Sequence, residues 1–528
     1  MQLVKRQKTR WKSLRAGKWK AGGVSLPVIF LPAIFLPVIL AGAVAGTALA
    51  QSGEVRAAET TPDARGAAAP SATLTRPRYI GAAGCAAAMC HGGGGLVGGE
   101  RNPVGSEYTY WLSRDPHAHA YAVLLNEESA GIIKNLKASP LYADLPAASE
   151  AAICLTCHSI SPGSYNGEPN PHGLQGGVSC EACHGPAEHW LAPHKRADWK
   201  TRPAAEKEAL GLKNTKDLVA RVQLCSECHV GGDAGRDVNH DLIAAGHPRL
   251  TFEFSAYQTN MPAHWNVAAE RRAVVGGQRG SAGELQAAYE AKLWAVGQVG
   301  VARQTLELLA LRAAGQSAQP VWPEFSELNC FDCHHRLETG SWRQARDYAA
   351  RRPGLPAWGT WAWPLLPLLS SETGGPDLSS PDSPFRKLER AMIRPYPDRE
   401  EVRTLVSALE PQLESWADVL NNRDDWRSDA DQLLVGIATE GRTLAGRNWD
   451  AAAQTYHAVS ALANAAQAAA PAGGGQDQIH EPLRAILEAL RFSGTSGTFT
   501  YDSPPIYGDR VQAIAAELTR ISDAIQRE

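Results

Sequence analysis

Five cysteine pairs, each followed directly by a histidine, constrain this chain more than any other feature of its sequence. Together they use all ten cysteines of the 528 residues, and four of the pairs have C-x-x-C-H spacing. In this motif two thiols bond to the edge of a porphyrin and the adjacent, proximal histidine binds its iron. The sequence therefore predicts five covalently attached haem c groups. The attaching cysteines are Cys85 and Cys90, Cys154 and Cys157, Cys180 and Cys183, Cys225 and Cys228, and Cys330 and Cys333, and the proximal histidines are His91, His158, His184, His229 and His334.

Three other kinds of site use closely spaced cysteines: structural zinc sites, thioredoxin-like redox pairs and disulfide frameworks. A zinc site has no reason to place a histidine directly after every second cysteine, and a disulfide framework needs no histidine at all. Five copies with the same histidine position therefore favour haem. The first pair, with two additional residues between its cysteines, has a looser loop of a kind that some c-type cytochromes use.

The N-terminus has the composition of a targeting segment. Eight basic and no acidic residues lie between Lys5 and Lys20, an apolar stretch covers residues 24–46, and Ala48-Leu49-Ala50 has the A-x-A pattern of a cleavage site. We expect residues 1–50 to be a cleaved signal peptide, with an uncleaved membrane anchor as the alternative. In either case the protein is periplasmic or otherwise exported, which agrees with covalent haem attachment.

The charge balance argues against nucleic acid as a partner. Residues 1–50 hold eight of the 52 Lys and Arg residues and none of the 55 Asp and Glu residues. Without this segment 44 basic residues face 55 acidic ones, and the formal net charge changes from −3 to −11. A basic nucleic-acid footprint is therefore absent. The partners we expect are redox proteins, the donor and the acceptor, which meet this chain through a basic patch.

Each haem iron has a second axial position, and eleven histidines remain beyond the five proximal ones. His117 follows Asp115, a predicted N-cap, and Pro116, and we expect it to share a helix face with Tyr121 and Leu124. Its neighbour His119 is expected to be exposed. The candidates for the second position are His117, His189, His194, His240 and His247, with His264 as a further one.

Two of these choices stay open on sequence alone. Either His189 or His194 turns back onto a haem, since both follow the third motif closely. His240 and His247 are seven residues apart, about 10 Å along a helix, so they cannot bind the same iron. Either both histidines bind iron, each on a different haem, or only one of them does. Arg249, just beyond them, is a candidate partner for a haem propionate.

The fold class expected is mainly α. Residues 51–76 read as a flexible linker, and residues 77–384 as a pentahaem cytochrome c domain with little regular structure between the haems. An amphipathic helix is predicted over residues 284–312. Residues 385–528 hold no cysteine and predict an α-helical bundle that caps the haem domain, docks a partner or forms an oligomer. Its predicted helices cover 400–420, 428–446, 449–470, 480–492 and 508–527.

The order of motifs from residue 85 to residue 229 resembles the cytochrome c-554 family and the wider group of multihaem cytochromes related to hydroxylamine oxidoreductase. The most specific stretch is Gly177-Val-Ser-Cys-Glu-Ala-Cys-His-Gly-Pro186. The resemblance implies closely packed haems, mostly with two histidine ligands, and one five-coordinate haem, for which the Cys154–Cys157 site is the first candidate. It also implies that His117 and His194 are second ligands.

The chain departs from this family in three ways: the longer first motif, a fifth haem site and the helical C-terminal region. The function we expect is electron transfer along mostly bis-histidine haems, because a six-coordinate iron suits one-electron chemistry. The alternative is an oxidoreductase that acts on a small nitrogen or sulfur compound at one five-coordinate haem. The sequence contains no C-x-x-C-K motif, which counts against that alternative.

Overall fold

The structure is a computed structural model, and the residues it describes are 77–93, 105–160, 176–275, 281–317, 321–334, 352, 354–423, 426–469, 476–491 and 507–525. The predicted signal peptide and linker lie outside these residues. So do two of the histidines, His172 and His335.

The predicted fold class is confirmed: the described part of the chain is mainly α-helical, with a single isolated β-bridge between Leu328 and Trp358. The α-helices are α1 Glu107–Arg114, α2 Glu127–Leu136, α3 Ala152–His158, α4 Cys180–His184, α5 Ala204–Glu208, α6 Leu218–His229, α7 His240–Ala245, α8 Phe254–Asn260, α9 Val267–Val274, α10 Ala282–Ala313, α11 Cys330–Cys333, α12 Leu366–Thr373, α13 Pro384–Met392, α14 Arg399–Asn421, α15 Trp426–Arg447, α16 Trp449–Ala469, α17 Gln476–Ala489 and α18 Tyr507–Ile525.

Four of the five cysteine motifs lie on helices, at the C-terminal ends of α3 and α6 and along α4 and α11. Residues three and four apart on a helix project to the same side. The C-x-x-C-H spacing therefore directs both thiols and the imidazole to one face. The first motif differs: Cys85 ends a short 3-10 helix, Ala82–Cys85, and Cys90 follows in a separate turn. Its two additional residues form the link between those turns.

The long helix α10 is the centre of the core. The amphipathic helix predicted there is confirmed in extent but is buried on nearly all sides, including Trp294, Val296 and Leu306. It packs on α6 and α8, which belong to residues 77–384 (here called the haem region). It also packs on α14, α15 and α16, which belong to residues 385–528 (the C-terminal region). A Cβ atom on Gly300 would lie 2.3 Å from the Val222 side chain of α6, so glycine is required for this close approach.

The five helices predicted after residue 385 are confirmed as α14 to α18. The large apolar core contains residues of α6 and α10 together with Leu413, Ile437 and Val459 from these helices. The core thus runs across residue 385, and the predicted division into two domains stays a prediction. Residues 354–384 contain α12 and bury Trp358, Trp361 and Trp363 in the core. No helix of the described residues is both long and apolar enough to span a membrane.

Candidate haem-binding sites

Each of the five motif histidines faces one other histidine, and each such pair with its two cysteines is numbered here as a site in chain order. The ring centroids of the five pairs lie 6.0–6.5 Å apart. The pairs are His91 with His194 (site 1, 6.3 Å), His158 with His247 (site 2, 6.5 Å), His184 with His264 (site 3, 6.3 Å), His229 with His117 (site 4, 6.0 Å) and His334 with His240 (site 5, 6.1 Å).

This separation fits an iron between two imidazoles. An imidazole nitrogen bonds a transition metal at about 2 Å, and the ring centroid lies roughly 1 Å behind that nitrogen, so two rings on opposite sides of one metal have centroids about 6–6.5 Å apart. Five pairs that include all five motif histidines meet this condition. The donor set of two thiols and two imidazoles therefore fits haem c at each site.

The pairs differ in the angle between their ring planes. The planes are nearly parallel at site 1 (17°) and site 5 (27°). They are nearly perpendicular at sites 2, 3 and 4, with angles of 86°, 79° and 87°. The two classes are spectroscopically distinguishable, because ring orientation sets the anisotropy of a low-spin ferric haem.

Hydrogen bonds to Nδ1 fix the tautomer of several of these rings. His158 donates from Nδ1 to the Ala120 carbonyl (3.0 Å), and His247 donates to the Pro248 carbonyl (2.8 Å). His194 donates to the Leu191 carbonyl at 2.5 Å. A carbonyl oxygen only accepts, so Nδ1 carries the proton and the Nε2 lone pair is directed away from it. Such bonds orient metal-binding imidazoles.

Carboxylates replace the carbonyls at two other rings. The Nδ1 of His117 donates to Asp115, and the Nδ1 of His91 donates to Glu107, both at 2.9 Å. The Asp115 side chain is only 2% exposed, whereas Glu107 is 24% exposed. Asp115 also accepts from the His117 backbone amide, as the predicted N-cap does. The buried Asp115 carboxylate thus lies directly beside the His117 imidazole of site 4.

Burial favours the neutral form of five of the ten paired imidazoles. Burial, with a smaller contribution from neighbouring imidazoles, lowers the pKa of His229 to about 3 and the pKa of His184 to about 4. Burial also lowers the pKa of His158, His247 and His264. A neutral imidazole is the form that binds a metal. At His117 burial lowers the pKa, but the bond and charge of Asp115 outweigh it and raise the pKa overall.

The structure distinguishes among the candidate second histidines for which the sequence left alternatives open. His117, His194, His240 and His247 each face a motif histidine, and His240 and His247 face different ones. The five pairs do not include His189, although the sequence ranked it with His194. His264 completes site 3, and its signal was only a histidine after Met261-Pro-Ala, just beyond the end of α8.

Two local expectations were wrong, and a third stays a prediction. The helix expected after Asp115 is two short 3-10 helices, Pro116–His119 and Ala122–Leu125. His119 is partly buried, not exposed. Arg249 is engaged by a carboxylate of the chain itself: its guanidinium forms two hydrogen bonds with Asp450 at the start of α16, both 2.9 Å long. Its pairing with a haem propionate stays a prediction.

Thiols of different sites lie against each other. The Cys180 thiol of site 3 lowers the pKa of Cys85 of site 1 to about 7, and the Cys157 thiol of site 2 lowers the pKa of Cys228 of site 4. Glu181, which is fully buried, strengthens the first contact. It accepts from the backbone amides of Ile80 (2.9 Å), Gly81 (2.7 Å) and Ala187 (2.8 Å). The glutamate of the third motif therefore holds the segment that leads into the first.

Residues 84–185, which contain the cysteine motifs of sites 1, 2 and 3, match the model of the cytochrome c554 and c-prime family. No curated protein and no solved structure matches the chain. The family similarity supports a c-type cytochrome that binds haem c covalently and takes part in electron transfer.

Proposed function

We propose that this chain is an exported pentahaem cytochrome c that transfers electrons, with every iron held between two imidazoles. The observation that carries the proposal is the five histidine pairs, whose centroid separations of 6.0–6.5 Å suit a shared metal ion. The iron ligands would be His91 and His194, His158 and His247, His184 and His264, His229 and His117, and His334 and His240. The cysteines of each motif would attach the porphyrin.

Haem c, when bound, supplies a one-electron couple between ferric and ferrous iron. The chain would supply two imidazoles to each iron and would keep those rings from moving. The Nδ1 bonds from His158 and His247 to backbone carbonyls prevent rotation of both rings of site 2. Trp111, Leu155 and Phe254 are buried in the part of the chain that carries the cysteine motifs. A site that barely moves between two charge states is suited to fast electron transfer.

The alternative, an oxidoreductase with an open iron, had site 2 as its first candidate. The imidazole of His247 lies opposite His158 there, 6.5 Å away between centroids. This arrangement favours a second ligand over an open position at site 2. Every motif histidine faces a second histidine, so the geometry favours an electron carrier over an enzyme with an open iron at every site.

Export is proposed from the basic and apolar residues of the N-terminal segment. The proposed partners are one-electron redox proteins with basic docking patches, since the chain without residues 1–50 has a formal net charge of −11, from 44 basic and 55 acidic residues. An oligomer formed through the C-terminal helices stays a prediction.

The test is mass spectrometry and low-temperature EPR of the oxidised holoprotein, produced in a host with haem-attachment machinery. The expected result is the mass of the chain plus five haems and only low-spin ferric signals. Parallel rings at sites 1 and 5 should give rhombic signals, and perpendicular rings at the other three should give strongly anisotropic ones. A high-spin signal that shifts on addition of nitrite, hydroxylamine or cyanide would overturn the carrier in favour of the enzyme.

A further inference from the structure

We propose that Arg312, on the central helix α10, is a positioning residue of site 5. Its guanidinium ties the segment that precedes His240 to the segment that precedes the fifth cysteine motif, and so keeps the two imidazoles of the site facing each other. The inference rests on the proposed function, because the facing rings matter only if they share an iron. It goes beyond that function by giving a role at the site to a residue that is neither a cysteine nor a histidine.

Arg312 joins two buried carboxylates. Its guanidinium donates to Asp237 from Nη2 at 2.5 Å and from Nε at 3.4 Å, and to Glu327 from Nη1 at 2.6 Å. The side chains of Arg312, Asp237 and Glu327 are only 5%, 2% and 3% exposed. A guanidinium is planar and presents its donors as a fixed fork, so two carboxylates bound to it are held at a set distance and angle.

The two carboxylates come just before the two halves of site 5 in the chain. Asp237 is three residues before His240, and Glu327 is three residues before Cys330. A hydrogen bond also joins the halves directly, because the His240 backbone amide donates to Glu324 Oε1 at 2.8 Å. The guanidinium therefore bridges the segment that carries the second histidine and the segment that carries the motif.

The half that carries the motif is held firmly around Glu327. The Trp358 indole N–H donates to Glu327 Oε2 at 3.1 Å, and the Gly359 amide donates to the Glu327 carbonyl at 3.0 Å. Inside the motif, Asp332 Oδ2 accepts from the Ala357 amide at 2.7 Å. The guanidinium is therefore attached to a fixed half of the site, and its loss would free the half that carries the second histidine.

The C-terminal region fixes the end of α10, where Arg312 is the last residue but one. Arg399, the first residue of α14, donates from Nη1 to the carbonyls of Arg312 (3.3 Å) and Ala313 (3.1 Å). The last carbonyls of a helix have no partner within it, and a cation there is favourable. The Arg399 guanidinium also lies over the Trp322 ring, 5.4 Å from its centroid, and the Trp322 indole N–H donates to the Pro397 carbonyl at 2.7 Å. The start of α14 thus holds both the helix end that carries Arg312 and the chain that leads into the fifth motif.

A second buried ion pair provides a matched comparison. Arg221 of α6 pairs with Glu270 of α9, and their side chains are 12% and 10% exposed. Arg221 also donates to the Thr215 carbonyl at 2.7 Å and to the Gln258 side chain at 3.3 Å. None of these four residues belongs to a site or to the segments that lead into site 5. Removal of Arg221 therefore measures what the loss of a buried ion pair costs without any role at site 5.

The test is the variant R312M as oxidised holoprotein, measured by mass spectrometry and EPR. Methionine leaves the Asp237 and Glu327 carboxylates without their shared cation, and buried like charges repel, so the two segments should move apart. All five haems should stay attached, because every cysteine is unchanged. One of the two rhombic signals should be replaced by one high-spin haem, and the three strongly anisotropic signals should remain. Added imidazole should restore the low-spin form.

Two reference variants accompany R312M. C330S/C333S cannot attach the fifth haem, so the rhombic signal that it lacks is the signal of site 5. R221M is the matched control: it should lower the midpoint of denaturant unfolding, as R312M does, and keep both rhombic signals.

A third variant separates positioning from charge balance. R312M/D237N/E327Q leaves no buried charge uncompensated, so it should recover most of the stability that R312M loses. Site 5 should nevertheless stay high-spin, because no side chain then bridges its two segments. This variant also carries the test if R312M yields no folded holoprotein. A low-spin site 5 in it would mean that Arg312 only balances charge, which overturns the positioning role.

Other results would also overturn the proposal. They are an intact site 5 signal in R312M, high-spin haem at several sites of R312M, or loss of the site 5 signal in R221M. The unaltered holoprotein, measured alongside, separates the two hypotheses. Fewer than five low-spin haems in the unaltered protein refutes the proposed function. Five low-spin haems in both the unaltered protein and R312M refute only the role of Arg312.

Discussion

Arg249 and Asp450 form a bidentate salt bridge across 201 positions of the sequence, with both N–O distances at 2.9 Å. The Asp450 side chain is 1% exposed and also accepts from the Thr360 hydroxyl. Arg249 comes two residues after His247, the second histidine of site 2. The first residues of α16 therefore hold the segment that carries the His247 imidazole, so that the C-terminal helices are linked to site 2 by a salt bridge as well as by packing.

Replacement of Arg249 by methionine should destabilise the protein strongly. It leaves the Asp450 carboxylate buried without its cation, and breaking a buried pair costs about 3–5 kcal/mol. Denaturant unfolding of the holoprotein measures the loss, and the low-spin signal of site 2 should broaden. The matched control is R394M, which breaks the exposed pair of Arg394 with Glu401 and should cost at most about 1 kcal/mol. Equal losses in the two variants would show that Asp450 needs no cation.

Asp115→Asn should raise the reduction potential of site 4. The buried carboxylate favours the more positive ferric state, and asparagine keeps the N-cap while removing the charge. A bond to a charged group is worth about 1.5–3 kcal/mol, which corresponds to roughly 60–130 mV for one electron. A spectroelectrochemical titration should show one of five potentials shifted. E107Q at site 1, where the carboxylate is more exposed, is the control and should give a smaller shift.

His264→Ala should open the iron of site 3 alone. The expected EPR spectrum has one high-spin haem beside four low-spin ones, and added imidazole should restore the low-spin form. His189→Ala is the control, because His189 belongs to none of the five pairs, and its spectrum should stay entirely low-spin. A high-spin haem in the His189 variant would show that His189, and not the histidine assigned here, is the second ligand of one site.

Substitutions of Glu181 should give graded losses of stability. Alanine leaves three backbone amides without their acceptor, and each buried unpaired donor costs about 1–3 kcal/mol. Glutamine keeps one oxygen, which can still accept from Ile80 and Ala187, and disturbs only the bond from Gly81. Thermal unfolding should therefore rank the unaltered protein above E181Q and E181Q above E181A. Equal losses in E181Q and E181A would mean that the negative charge, not the hydrogen bonds, is what this position requires.

The parts of the sites that sequence could predict are the local ones. A cysteine pair and its histidine lie within one or two helical turns, so their spacing alone directs them to a common face, as on α3 and α6. The C-terminal helices were predictable for the same reason, since the apolar repeat of 3.6 residues that indicates a helix depends only on residues close together in the sequence. Asp115 and Pro116 likewise predicted a cap, although the turn that follows is a 3-10 helix.

The second histidines were less predictable because they depend on long-range packing. His91 and His194 are 103 positions apart, and only the folded chain decides that His194 and not His189 reaches site 1. Pro193 begins the 3-10 helix that presents His194, and the buried Trp190 packs against its ring at 5.6 Å. The position of Arg249 was missed for a related reason: its carboxylate partner lies in a helix that sequence reasoning had assigned to another domain.

The burial of α10 between the haem region and the C-terminal helices has a consequence for the order of events during biosynthesis. A ribosome makes all five cysteine motifs before it makes α14 to α18, whose side chains complete the packing around α10 and supply Asp450. The porphyrin attachment points therefore exist on a chain whose core is still unfinished. The apolar core around α10 can therefore be completed only after the last helices have been synthesised, long after the five cysteine motifs.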